Sequence, residues 1–215
     1  MIINILAGGP VDHLPDLSQY HTKDTIWVGV DKGVYTLLSN GIEPDIAFGD
    51  FDSVTKEEFE YIQSKVQSVN IFKPEKDEPD MELALIWALE QKPEKIRLFG
   101  ATGGRLDHFF ANVQLLLKSV VQRGVCPIEV IDKQNLIFAK GPGTHHLKKN
   151  KQKKYVSFIP ISSDVRGLTL SGFKYPLKDR HIPLPSTLCI SNELIDDYGT
   201  FSFTEGILLV IRSSD

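Results

Sequence analysis

Asp50 and Asp52 stand two residues apart in Gly49-Asp50-Phe51-Asp52-Ser53, directly after the apolar run Ile46–Phe48. Carboxylates in that pattern suit a hard divalent cation, Mg²⁺ above all, which takes one or two of them, keeps waters and completes its octahedron with phosphate oxygens. Other acidic residues fall at matching places. Asp31 follows Ile26–Val30, Asp77 and Asp80 follow Val69–Phe72, and Asp107 ends the loop Gly100-Ala101-Thr102-Gly103-Gly104-Arg105-Leu106-Asp107 after Ile96–Phe99. Gly8-Gly9, after Ile2–Leu6, and Gly103-Gly104 allow backbone N–H groups to approach phosphate closely. Arg105 adds a forked donor that matches phosphate. Each piece also has a plainer reading. Asp-x-Asp after a strand forms Asx turns, Asp77-x-x-Asp80 with Pro79 caps a helix, and Asp107 suits a helix first turn. Their convergence favours the chemical reading.

The elements that must position these residues are legible as periodicities. The near-continuous apolar runs Ile2–Leu6, Ile26–Val30, Ile46–Phe48, Val69–Phe72 and Ile96–Phe99 read as buried strands. Helical patterns alternate with them at Gly33–Ser39, Lys56–Lys65, Met81–Gln91 and Leu106–Arg123. Such alternation predicts an α/β domain with a mostly parallel sheet covered by helices on both faces. In such a sheet the acidic and glycine loops all lie at the carboxyl ends of the strands, where open α/β proteins bind ligands. After Gly124 the texture changes to short strands between turn residues: Ile128–Ile131, Leu136–Ala139, Tyr155–Ile159, Val165–Leu170, Thr187–Ile190, Thr200–Phe203 and Ile207–Ile211. These predict a small all-β sandwich. The expected domains are therefore 1–124 and 125–215. The charge run Lys148–Lys154 reads as a solvated hairpin tip.

With 24 Lys and Arg against 28 Asp and Glu, the net charge is −4. That excludes a protein held on nucleic acid or an anionic membrane by bulk charge. Two cysteines are too few for a disulfide framework. The N-terminus has no basic region leading a signal peptide, and no apolar run reaches membrane-spanning length, so a cytoplasmic location is expected. Absent are Gly-x-x-x-x-Gly-Lys-[Ser/Thr], Gly-x-Gly-x-x-Gly after the first strand, zinc-type histidine spacing and Gly-x-Ser-x-Gly.

The chain resembles the bacterial thiamine pyrophosphokinases over nearly its whole length. The resemblance is carried by Leu6-Ala7-Gly8-Gly9, Asp31-Lys32-Gly33, Gly49-Asp50-Phe51-Asp52-Ser53, Lys76-Asp77 through Glu82, and Gly100 through His108. Gly172-Phe173-Lys174-Tyr175-Pro176-Leu177 and Ser191-Asn192-Glu193 carry it in the second half. It implies Mg²⁺-dependent transfer of the pyrophosphoryl group of ATP to the hydroxyl of thiamine by a homodimer with sites at the subunit interface. Asp50, Asp52, Asp77 and Asp80 would hold the metal, and Asp50, Asp52, Asp80, Arg105 and Asp107 would serve catalysis. Gly8, Gly9, Asp31, Lys32, Asp77, Thr102, Gly103, Gly104 and Arg105 would surround the nucleotide phosphates. Asp107, Tyr175, Ser191 and Asn192 would meet thiamine, Tyr175 standing where some relatives carry tryptophan. The rival readings are nucleotidyl transfer, which would release pyrophosphate instead of AMP, and a binding protein without turnover.

Overall fold

The computed structural model describes residues 1–66, 69–71, 78–122 and 125–215. The chain forms two compact units, Met1–Lys118 with Gly124–Lys133, and Ser119–Arg123 with Gln134–Asp215. In the first, β1 (Ile2–Leu6), β2 (Thr25–Val30), α1 (Lys32–Ser39), β3 (Ile46–Gly49), α2 (Lys56–Lys65), β4 (Val69–Ile71), α3 (Asp80–Glu90) and β5 (Lys95–Phe99) alternate as the periodicities predict. Then come α4 (Leu106–Leu116), α5 (Lys118–Val121) and β6 (Ile128–Ile131). The strands lie in the order β6-β5-β1-β2-β3-β4, each parallel to its neighbours. Helices cover both faces because side chains alternate along β3. Ala47 packs with Val34 of α1 and Ile62 of α2, whereas Phe48 meets Trp87 of α3, ring centroids 6.2 Å apart. A capping box starts α2: Glu58 N–H donates to Thr55 Oγ1, and Thr55 N–H donates back to the Glu58 carboxylate.

Two expectations change here. Ile128–Ile131 is the sixth strand of the parallel sheet and not the first of the sandwich, with Ile96 opposite Ile128 and Leu98 opposite Val130. A short apolar run with β-branched residues fits either sheet, so its pattern does not discriminate. The single helix expected over Leu106–Arg123 is α4 and α5, broken at Leu117, whose N–H reaches back to Gln114 C=O. Val120 and Val121, β-branched and weak helix formers, close the four-residue α5; Arg123 lies outside the described residues.

The second unit is a sandwich of two antiparallel sheets. One has the order β12 (Asn192–Glu193), β9 (Tyr155–Pro160), β14 (Leu208–Ser213), β7 (Asn135–Lys140). The other has β11 (Leu177–Pro183), β10 (Asp164–Ser171), β13 (Tyr198–Phe203), β8 (Gly143–Lys148). Phe158, Phe173, Phe201, Leu168 and Val210 fill the space between them, and Phe158 touches both Phe173 and Phe201 edge-on or tilted. Thr187–Ile190, expected as a strand, is instead a turn segment whose Cys189 C=O accepts from Phe158 N–H. The lysine run is no hairpin tip. It carries the chain from β8, paired with β13, to β9, paired with β14 in the other sheet.

The seating of α1 on β1 depends on a close backbone approach. Gly33, in the first turn of α1, lies so near β1 that a Cβ there would stand 2.0 Å from Leu6 C=O oxygen and 2.7 Å from its carbon. Backbone on both sides cannot yield as a flexible side chain would. Gly33→Ala is therefore expected to lower stability by about 2–3 kcal/mol, read as a lowered urea midpoint; an unchanged midpoint would refute the close packing of α1 on β1.

Candidate active site

Asp31, Asp50, Asp52 and Asp80 converge at the carboxyl edge of the parallel sheet. Asp31 occupies the N-cap position of α1, yet it makes no side-chain cap bond, and its backbone is left-handed at φ 49°. Its N–H is held by Phe48 C=O at 2.9 Å. Its carboxylate leans over the exit of β3, where Oδ1 would lie 2.0 Å from any Cβ at Gly49, and it accepts a hydrogen bond from Phe51 N–H. Oδ1 is buried and has no hydrogen-bond partner. Burial first, then the charges of Asp80 and Asp50, push the Asp31 carboxyl up to about 6 from its ordinary 3.8. Asp50 and Asp52 are exposed on either side of Phe51, which is buried and also left-handed, at φ 59°. That turn puts both aspartates outward while the ring packs inside. Asp52 N–H donates to Asp50 Oδ1 at 3.1 Å, the hydrogen bond of the Asx turn expected of this motif. Asp80 is the first residue of α3. Asp77 lies outside the described residues.

Among the described residues no group of three or more His, Cys, Asp or Glu stands ready-made to hold a metal ion. The donor chemistry nevertheless fits Mg²⁺, which needs only one or two protein carboxylates and draws its other ligands from water and phosphate. A buried, unpartnered carboxylate oxygen among like charges is the environment that a cation relieves.

The second cluster is the loop before α4. Gly9 N–H donates to Gly100 C=O at 3.0 Å, and a Cβ at Gly9 would fall 2.3 Å from that oxygen. Gly103 lies under the His13 ring, 2.8 Å from where its Cβ would be. These two glycines join loops together. Gly104, with nothing nearer than Pro10 Cδ at 3.7 Å, leaves room for a ligand, whereas a Cβ at Gly8 would stand 3.3 Å from that of the exposed Lys32. Thr102 Oγ1 donates to Asp132 Oδ2 at 2.7 Å. Arg105 and Asp107 are bound to each other through Nε–Oδ1 at 3.1 Å and Nη2–Oδ2 at 2.6 Å, which holds the Asp107 carboxyl below the usual range. Beside them a cavity of about 470 Å³ opens between α3 and α4, with Met81, Ala111 and Leu115 as apolar walls and Pro79, Asp107 and Lys118 among its polar and rim residues. His13, Asp132 and Lys133 belong to this region and carry no motif in the sequence. Their contacts span 30 residues or more along the chain for Thr102–Asp132, beyond any local pattern.

In the second unit Asn192 is buried and ties down its neighbour: its Oδ1 accepts from Tyr175 N–H at 3.0 Å and its Nδ2 donates to Tyr175 C=O at 2.8 Å. Tyr175 itself is 58% exposed, with the Lys174 ammonium 5.6 Å from its ring centre. Ser191 is exposed and left-handed at φ 56°, its N–H held by Ser157 Oγ.

The raised Asp31 carboxyl has a stability consequence. Between about pH 4 and 6 the native protein keeps a proton that the unfolded chain has lost, so stability falls as pH rises through that window and stays lower above it. Asn accepts a left-handed backbone and carries no charge. Discounted for partial exposure, Asp31→Asn is expected to stabilise the metal-free protein at pH 7.5 by about 1 kcal/mol, a Tm rise of about 2–4 °C. Thermal melts check this; the difference should vanish near pH 4, and no gain at pH 7.5 would refute the account.

Comparison with known proteins agrees with this architecture. Residues 17–127 match the family model for the thiamin pyrophosphokinase catalytic domain, and residues 144–208 match that for the thiamin pyrophosphokinase vitamin B1 binding domain. The chain is 54% identical over 213 residues to the thiamine pyrophosphokinase of Bacillus subtilis, covering 99% of each. The crystal structure of the Bacillus subtilis enzyme superposes with a TM-score of 0.95 at 53% identity, covering 100% of both chains. That of the thiamin pyrophosphokinase from Geobacillus thermodenitrificans gives 0.93 at 53% identity, covering 100% of this chain and 98% of that one. With both family models matched in order and relatives identical at more than half of all positions, the chain belongs to the thiamine pyrophosphokinase family.

Proposed function

We propose that this protein is a Mg²⁺-dependent thiamine diphosphokinase, transferring the pyrophosphoryl group of ATP to the hydroxyl of thiamine to give thiamine diphosphate and AMP. The activity rests on family membership with full-length identity to a named thiamine pyrophosphokinase. The observation that supports the chemistry at residue level is the convergence of Asp31, Asp50, Asp52 and Asp80, with one buried carboxylate oxygen left without a partner.

Asp50, Asp52, Asp80 and Asp31 are the residues that would hold the metal. When bound, Mg²⁺ supplies neutralisation of the triphosphate and stabilises charge developing on the leaving oxygen. The chain's own part is mostly positioning. Gly8, Gly104 and Lys32 border the space for phosphates, and Arg105 supplies a forked donor to them. The thiamine oxygen attacks the β-phosphorus, the bond to the α–β bridging oxygen breaks, and AMP leaves with that oxygen. The hydroxyl proton goes to a carboxylate. Asp80 and Asp107 are the two carboxylates proposed for that role. The cavity between α3 and α4 has the apolar walls that a substrate ring needs. Tyr175, Ser191 and Asn192 are assigned to thiamine, Tyr175 as an aromatic platform and Asn192 as the residue that fixes it.

The active species is proposed to be a homodimer with sites at the subunit interface. Leu106 and Phe110 of α4, 72% and 62% exposed, are the kind of apolar surface that a dimer buries. No helix among the described residues is long and apolar enough to cross a membrane, and the cytoplasm is the proposed location.

Incubation with thiamine, ATP and Mg²⁺ should yield thiamine diphosphate and AMP in equal amounts, and chelation by EDTA should stop both. Release of pyrophosphate without AMP would mean nucleotidyl transfer, and binding without any product would mean a protein that has lost turnover. Asp50→Asn and Asp52→Asn should each lower kcat by about 10²-fold; AMP formation unchanged at saturating Mg²⁺ would refute their assignment to the metal.

A further inference from the structure

The loop Gly100–Arg105 is pinned at four successive residues by four different parts of the first unit. Gly9 N–H holds Gly100 C=O, Asn112 Nδ2 holds Ala101 C=O at 3.0 Å, Asp132 Oδ2 accepts the Thr102 hydroxyl, and the His13 ring lies against Gly103. The exit of β6 closes this arrangement twice over. Asp132 reaches the loop, and the next residue, Lys133, donates its N–H to His13 C=O at 2.8 Å.

Asp132 is 4% exposed. A buried carboxylate costs free energy unless donors face it, and behind a loop that receives phosphates its charge is unfavourable as well. What it gives in exchange is geometry. We infer that Asp132 is a positioning residue for the nucleotide phosphates, acting through Thr102 and never touching the substrate. This rests on the ATP-dependent reaction proposed above. With its hydroxyl hydrogen committed to Asp132, Thr102 has only its backbone N–H and oxygen lone pairs for a ligand, and the backbone of Gly103, Gly104 and Arg105 is presented from a fixed anchor. A site held this way binds the phosphates without first ordering the loop.

Steady-state kinetics with ATP and thiamine varied separately test this on wild type, Thr102→Val, Asp132→Ala, the double variant and Asp132→Asn. Thr102→Val and Asp132→Ala should each raise KM for ATP about tenfold while KM for thiamine stays within twofold. The double variant should be no worse than the worse single, since both remove one contact. Asp132→Asn, whose Oδ1 still accepts the hydroxyl, should return KM for ATP to within about threefold of wild type. A KM for ATP unmoved in Thr102→Val, equal rises for both substrates, or additive effects in the double variant would each overturn the inference. Thr102→Val is close to isosteric at a half-buried position, so it decides the question even where Asp132→Ala fails to fold. A wild type that forms no thiamine diphosphate would overturn the proposed function and this inference together, whereas an active wild type with an indifferent Thr102→Val overturns the inference alone.

Discussion

Burial of an aspartate among like charges at one sheet edge is the constraint on which the candidate site of the first unit depends. Asp31 stands buried with Asp50, Asp52 and Asp80 acting on it, and the chain spends local strain to keep it there. Two residues with side chains, Asp31 and Phe51, hold left-handed backbone, at a cost of roughly 1–3 kcal/mol each. Such strain persists only where surrounding packing over-determines it. Here the Phe51 ring does so, buried with Val34, Ala47, Ile62 and Val66. The hydrophobic anchor lies between the two exposed aspartates in sequence, so the core that stabilises the domain also aims its charged groups. Gly49 completes the device, because any larger residue would collide with the Asp31 carboxylate.

The second loop uses a different means to the same end. It carries no charge cluster and is held by backbone and side-chain hydrogen bonds from the segment after β1, from α4 and from the exit of β6. In the sandwich, Asn192 holds Tyr175 through both its N–H and its C=O, again a buried amide fixing an exposed residue. Across both units the groups offered to solvent are held by neighbours that are not. Precision in the exposed residues therefore depends on buried side chains beside them.

What was legible in the sequence follows from how far each signal reaches. Strands β1, β2, β3 and β5 are buried apolar runs, and the acidic residues fall at their carboxyl ends, so the parallel sheet and the aspartate edge could be read directly. Strands β8 and β11 could not. Gly-Thr-His-His-Leu-Lys and Leu-Lys-Asp-Arg-His-Ile-Pro are the two edges of the four-stranded sheet and are exposed along most of their length. Edge strands carry charge and proline to discourage pairing with other chains, which erases the apolar signal that marks a strand. The lysine run looks like a hairpin tip in sequence because its role as a crossing between sheets depends on strand partners far away in the chain. Asp132 and His13 were invisible because nothing local distinguishes a buried carboxylate that meets Thr102 from an ordinary loop residue. The glycine pairs look alike in sequence, yet Gly9 and Gly103 join loops, Gly8 abuts Lys32 and only Gly104 of the four leaves space, a difference set by residues distant in the chain.

Arg105 and Asp107 illustrate why an ion pair at such a place need not be structural. Their side chains are 72% and 63% exposed, and two residues apart they organise nothing distant. Solvent-exposed pairs contribute little to stability, so separating them is easy. The guanidinium can then exchange one pair of oxygens for another of the same geometry, since carboxylate and phosphate both accept its parallel N–H groups. As it leaves, the Asp107 carboxyl loses the partner that lowers its proton affinity and becomes a better acceptor of cation or proton. On the proposed reaction, arrival of the nucleotide phosphates at Arg105 would thus prepare Asp107 for thiamine, whose thiazolium is cationic. On that reading the weak pair would make the second substrate's contact depend on the first.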